Sequence, residues 1–402
     1  MSMAVVNKFS DKQRRHVIQY AAALLAATAL PTASSADKAP LLIGVDAEFG
    51  LLRSTSAQAI QLGAQAAVNE INAAGGLLGG RSLQLVLRDN HSVPARGVEN
   101  LRQLAAMPGL VAVLGGRFSP VILEQLPLIA EHQIPFMALW SSAEKIVRNE
   151  MRPNYVFRVS LRDSIAMPFL LEQAKKRGLT RIGLLLSNTA WGRSNLDAAE
   201  RYLRSARGLS IVASSWINWA DTSLISKYRG MTAAGAQTIV VVANDESAIL
   251  VREMAALPPA QRVPLILHWG AAGGEFFEQA GSALREVDVS VLQTFSFFTA
   301  DPSLRTQFLQ SAAPLGVKRF EDIRSAVGVA HAYDAVHLLA LAITKAGSAE
   351  RARIRDALEH LPAWRGLVKS YRPAFSPASH EALSSDELLM ARYRADGLLV
   401  PL

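Results

Sequence analysis

The sequence predicts an α/β protein of two Rossmann-like lobes, each built on a parallel sheet covered by helices. Three observations lead there. Short β-rich runs alternate with longer segments of helical periodicity along most of the chain, the pattern of parallel sheets buried on both faces. The alternation restarts near Tyr155, so there are two blocks. The chain has 402 residues, half of them apolar, which is enough for two cores.

The N-terminal segment is a targeting signal rather than part of a lobe. Lys12, Arg14, Arg15 and His16 precede an apolar run, 17–30, then Pro31 and the small residues 32–36. Basic, apolar, small is the order of a secretory signal peptide, here cleaved near Ala36. The run is shorter than the roughly 20 apolar residues of a membrane span. The remainder is therefore expected in the periplasm. No later stretch reads as transmembrane, since the apolar runs are interrupted by Gly, Asn, Asp or Arg. There is no cysteine, which excludes disulfides, thiolate metal sites, a Cys nucleophile and a lipid anchor at the cleavage site. The formal charge is +8, but Lys and Arg are scattered, as on a solvated surface and not as a nucleic-acid footprint.

In the first block a strand is expected at 41–45. A helix follows over 54–72, with Ala57, Ile60, Ala64, Ala67, Val68 and Ile71 on one face, and Gly75-Gly76 stops it. A strand at 83–87, a helix near 95–106 and a strand at 111–114 come next. Ser119-Pro120 opens another helix, with Ser119 as N-cap and Pro at the first helical position. The fourth strand is expected at 134–139. The second block has strands at 182–186, 210–213, 238–242 and 263–267, and helices at 163–177, 193–205, 224–234 and 246–256. After Phe295 come helices at 303–313, 323–345 and 351–361, then a strand at 388–393.

In open parallel sheets, ligands bind beyond the carboxyl ends of the strands. Those ends carry Arg53, Arg117, Ser119, Trp140, Ser141 and Ser142 in the first block. In the second they carry Trp191, Asn244, Asp245, Trp269 and Gly270. Aromatics with a few placed polar groups suit a small-molecule cleft. The helix starting at Ser119 presents unsatisfied N–H groups and a positive dipole end, which favour a carboxylate. The Ser119 hydroxyl either donates to the ligand or only caps the helix; Ser142 has the same two readings. The chain has no G-x-S-x-G, H-E-x-x-H or P-loop, so catalysis, a metal and a cofactor are not expected. Asp245-Glu246 reads as a charge pair at a helix N-terminus.

The run Val68-Asn69-Glu70-Ile71-Asn72-Ala73-Ala74-Gly75-Gly76-Leu77-Leu78-Gly79-Gly80-Arg81 resembles the most recognisable segment of type I periplasmic solute-binding proteins of ABC importers, in their leucine and branched-chain amino-acid-binding subgroup. Arg88-Asp89-Asn90 with Pro94, Ile134-Pro135, Asn154-Tyr155-Val156-Phe157-Arg158, Trp191-Gly192 and Tyr333-Asp334-Ala335-Val336 match in the same order. The resemblance implies two lobes joined by a three-crossover hinge, with a small ligand clamped between them. Lobe one would comprise 41–158 plus 296–365, and lobe two 159–295 plus 366–402, in a monomer.

By the same resemblance, Ser119 matches a ligand-binding hydroxyl and Ser142 a Thr or Ser. Trp140 stands for a usually small residue whose backbone meets the ligand carboxylate. Trp191 stands for an aromatic, Asn244 lies beside a further aromatic contact, and Gly270 falls where amino-acid binders commonly carry an acid for the ligand amine. A buried ammonium needs a counter-charge, so Gly270 weakens an amino-acid assignment unless Asp245 or Glu246 replaces the acid. Tryptophans at 140, 191 and 269 favour a planar ligand. The expected function is an exported binder that clamps a small carboxylate-bearing solute, aromatic or an amino acid, and delivers it to an inner-membrane ABC permease. The alternative is a sensor that presents the solute to a membrane receptor. A repressor of this two-lobed shape would need a DNA-binding helix pair where the export signal stands.

Overall fold

The computed structural model describes residues 39–51 and 54–402. The signal-peptide segment and Arg53 lie outside the described residues.

The first lobe is a five-stranded parallel sheet of β1 (Leu41–Ala47), β2 (Leu83–Asp89), β3 (Leu110–Gly115), β4 (Phe136–Ala138) and β5 (Val156–Arg158), in the order β2-β1-β3-β4-β5. Between these strands run α1 (Thr55–Ala73), α2 (Pro94–Ala105) and α3 (Ser119–Glu131). Every residue of β3 is buried, which explains its unbroken apolar run: a central parallel strand meets helices on both faces.

The second lobe holds β6 (Arg181–Ser187), β7 (Ser210–Ile217), β8 (Thr238–Val242), β9 (Leu265–Leu267) and β10 (Val289–Gln293), all parallel. Its helices are α4 (Asp163–Lys176), α5 (Ala190–Leu203), α6 (Ile225–Ala233), α7 (Ser247–Ala255) and the short α8 (Phe276–Ala280). Two further strands, β13 (Leu389–Tyr393) and β14 (Leu399–Pro401), extend this sheet antiparallel from β10, so it is mixed rather than wholly parallel. Antiparallel neighbours need no crossover helix, and none separates β13 from β14. The pair β11 (Trp364–Arg365) and β12 (Ser370–Tyr371) forms a small hairpin outside both sheets. Strands β5 and β10 had no expectation in the sequence. Each is only three to five residues long, and only the five-residue α8 and a short 3-10 turn lead into β10.

The chain passes between the lobes three times: after β5, after β10 and after α11 (Arg351–Leu358). The second passage brings α9 (Pro302–Ala312) and α10 (Ala326–Ala346) back onto α1. The 21-residue α10 is long and apolar enough to cross a membrane by composition, which the sequence reading did not anticipate. Here it is a core helix, with 83% of its most apolar window buried. Each fully buried Leu, Val or Ile on such a face contributes about 1.5–3 kcal/mol.

The α1–α10 contact is close because Gly63 sits against the other helix's backbone. A Cβ at Gly63 would lie 2.0 Å from the Val329 carbonyl oxygen. Gly63→Ala is therefore expected to force the helices apart and destabilise the protein by about 1–3 kcal/mol. Urea denaturation of the variant checks this; an unchanged midpoint would mean that the helices slide without cost.

Candidate functional site

The carboxyl ends of both sheets face one cleft of about 400 Å³. Its inner end is polar, formed by Arg117, Ser119, Asn244 and Glu246, and Trp191 forms one wall. Residues from both lobes line it, as the strand-end rule requires.

Local sequence explains how the wall residues are presented. Thr189 caps α5 by accepting the Gly192 N–H at 3.5 Å. A Cβ at Gly192 would lie 1.9 Å from the Ser187 carbonyl oxygen, so only glycine lets the first turn of α5 seat against the end of β6. Trp191 thus lies inside the helix, which begins three residues earlier than the periodicity predicted. Its indole Nε1 donates to Asp163 Oδ1 at 3.2 Å, and its ring packs edge-on to His268 with centroids 5.0 Å apart. Asp163 also donates its own N–H to the Ser142 carbonyl, so one residue at the first interlobe passage holds both the Ser142 loop and Trp191.

Ser119 corrects an expectation. The N-cap of α3 is Phe118, without a side-chain cap bond, and Ser119 is the first helical residue, with Pro120 after it. Its Oγ accepts the Ala143 N–H at 3.4 Å. The hydroxyl is thus not spent on capping, and Ser119 lines the cleft.

Arg117 is the main charged group. It is buried, and its Nη1 donates to Asp245 Oδ1 and to the Gly270 carbonyl, both at 3.3 Å. Its Nε stands 3.8 Å from Glu48 Oε1, and its guanidinium lies over the Phe118 ring at 4.9 Å. Glu48 is fully buried and accepts the Ser54 and Ser56 hydroxyls. One guanidinium therefore bridges a carboxylate of the first lobe and a carboxylate and carbonyl of the second. Glu246 accepts the Asn244 N–H at 3.0 Å, and burial holds its carboxyl above the usual range.

The other sequence candidates lie beneath or behind the cleft rather than on its wall. Trp140 and Trp269 are both buried and pack across the lobes with ring centroids 5.9 Å apart. Ser141 Oγ donates to the Gly116 carbonyl at 2.9 Å. Ser142 is buried, and neither its Oγ nor Trp140 Nε1 makes a hydrogen bond. Asp245 is turned to Arg117 and to the Glu275 N–H. Gly270 cannot carry a side chain in this arrangement: a Cβ there would lie 2.5 Å from the Ala243 carbonyl oxygen and 2.8 Å from the Trp191 ring.

The site residues chosen from the sequence did not include Glu48, Asp163 or the outer wall, which includes Val93, Pro94 and Trp219. Asp163 carried no signal, because it opens a helix like many acids. Trp219 had one: it follows the end of β7, the same position by which the other candidates were chosen.

Two α/β lobes meeting at a cleft of strand ends define a two-lobed binder of small molecules. A family model described as periplasmic binding protein matches residues 47–397, and the chain belongs to that family. Among solved structures, a type 1 periplasmic binding protein from Bordetella pertussis Tohama I is 23% identical, with a TM-score of 0.80 over 90% of this chain and 100% of that one. A solute-binding protein of an R. palustris ABC transporter, solved with 4-hydroxybenzoate, is 18% identical with a TM-score of 0.76, covering 90% and 95%. The branched-chain amino-acid-binding protein of Streptococcus pneumoniae, solved with isoleucine, is 21% identical with a TM-score of 0.73, covering 90% and 100%. At these identities the likeness is one of fold. No curated protein matches the chain.

A buried carboxyl supports the frame of the cleft and makes stability depend on pH. Asp46, at the end of β1, accepts from Asn90, Asn100 and Gln125 at 2.7–3.0 Å, joining the loop before Val93 to α2 and α3. Burial raises its pKa from 3.8 to about 6, outweighing the three amide bonds that lower it. A raised folded pKa means that Asp46's contribution is full below about 4 and is lost as pH rises to about 6. Stability is expected to decline over that window, and less so in Asp46→Asn, by melting temperature against pH. Equal slopes in the two proteins would remove Asp46 as the cause.

Proposed function

We propose that this protein is an exported solute-binding protein that closes its two lobes on a small carboxylate with an apolar or aromatic body. It hands that solute to a membrane ABC permease. We also propose lobe boundaries at 41–158 plus 296–365 and 159–295 plus 366–402, with the cleft between them. Membership of the periplasmic binding protein family supports binding and delivery. The two neighbouring structures hold ligands of both kinds, 4-hydroxybenzoate in one and isoleucine in the other, so the choice rests on this chain's own residues.

The observation that carries the choice is the charge at Gly270. Where the resemblance expects an acid, the Arg117 guanidinium is bonded to the Gly270 carbonyl instead. The two acids that might serve an ammonium are otherwise occupied. Asp245 is paired with Arg117, and Glu246 accepts the Asn244 N–H. An amine entering this site would lose its hydration without a free counter-charge, at a cost of several kcal/mol. An acceptor-only head group meets hydrogen-bond donors instead. The Ser119 hydroxyl lines the cleft and can donate, and the Arg117 guanidinium lines it beside Ser119. Trp191 and Phe118 supply the apolar contact for the body of the ligand.

Lobe closure requires a ligand that binds the shut form better than the open one, and contacts from both lobes provide that difference. Titration calorimetry with benzoate, its amide, leucine and valine tests the assignment. Benzoate is expected to bind, and the amide to bind at least about tenfold more weakly, the effect of losing a charge-assisted hydrogen bond. Tight binding of leucine or valine with none of benzoate would overturn it.

A further inference from the structure

The cleft extends beyond what a single-ring acid needs. From the polar end at Ser119 and Arg117 it continues outward between two apolar surfaces, Val93 and Pro94 on the first lobe and Ile217 and Trp219 on the second. Trp219 is 76% exposed and Val93 41%, and they are two of only six large hydrophobic residues exposed among the described residues. Both stand at the mouth of the same cleft, on opposite lobes. An indole left in water forfeits most of the burial energy its size offers, so core packing does not explain Trp219.

Both surfaces are held in place by their backbones. On the second lobe, the Asn218 N–H donates to Asp221 Oδ2 at 2.9 Å and the Asp221 N–H returns to the Asn218 carbonyl at 3.0 Å. Asn188 Nδ2 donates to Asn218 Oδ1 at 2.9 Å, and Lys227 pairs with Asp221 at 2.5 Å. On the first lobe, the Val93 N–H donates to the Asn90 carbonyl at 2.8 Å, and Asn90 is tied to Asp46. The ring of Trp219 thus projects from an anchored turn, which is the arrangement of a preorganised contact.

We propose that Val93, Pro94 and Trp219 form an outer subsite that takes an apolar extension of the ligand, distal to its carboxylate. The preferred solute is then an aryl-alkyl carboxylate longer than benzoate. This rests on the reading of the inner cleft as a carboxylate site. Trp219 is a specificity-determining residue, and the subsite is completed only when the two lobes face each other.

The test is calorimetry of the full chain with benzoate, 3-phenylpropanoate and 4-phenylbutanoate, on wild type and Trp219→Ala. Wild type is expected to bind the longer acids at least about tenfold more tightly than benzoate, as their further buried methylenes and a ring contact with Trp219 allow. Trp219→Ala is expected to bring them down to about the benzoate level, a larger loss than benzoate itself shows, with the melting temperature unchanged. Benzoate binding with no gain along the series, or an equal loss for all three acids in the variant, overturns the subsite alone. Binding of none of the three by wild type overturns the inner carboxylate site as well.

Discussion

The arrangement of the cleft depends on one buried cation. Arg117 leaves the end of β3 and places its guanidinium between Glu48 of its own lobe and Asp245 and the Gly270 carbonyl of the other. A charge with this little exposure persists only when paired and hydrogen-bonded. Its partners come from both lobes, so it resists their separation. It also occupies the positions that could receive an ammonium: Asp245 and the Gly270 carbonyl are already bonded to the guanidinium.

Packing beneath the cleft follows the same logic. Trp140 occupies the space that a small residue would leave, and it fits because its neighbours are small. A Cβ at Gly328 would lie 2.6 Å from the Trp140 ring, and one at Gly273 would lie 3.2 Å from it. Gly328 belongs to the first lobe's α10, and Gly273 follows Trp269 in the second, so the indole is gripped from both sides. Thr55 donates to the Gly274 carbonyl and Ser325 to the Ala272 carbonyl beside it. The interlobe contact is therefore a tight apolar plug surrounded by short polar bridges.

The third interlobe passage has its own clamp. Arg158, fully buried at the end of β5, makes a bidentate pair with Glu381 at 2.7 and 2.8 Å and donates to the Ser141 and Ala143 carbonyls. The segment at 380–382 runs alongside it, its backbone bonded to both sides of Arg158. The loop that carries Ser142 is thus held through Arg158 to a segment from the far end of the sequence. His380-Glu381 is one half of that connection.

Much of the fold was legible without coordinates, because strand and helix periodicity are local and strands such as Leu110–Gly115 and Thr238–Val242 must be apolar when covered on both faces. The strand-end rule then named most of the residues that gather at the interlobe contact. What stayed hidden was the role of each. Ser119 looked like a cap and is not one; Trp140 and Trp269 looked like walls and lie buried under the cleft; Trp219 went unnoticed and stands at its mouth. The chain's own order determines which residues reach the strand ends. Only the tertiary structure decides which of them meet solvent and which meet the opposite lobe, because that choice depends on contacts between segments more than 100 residues apart, such as Arg117 with Asp245.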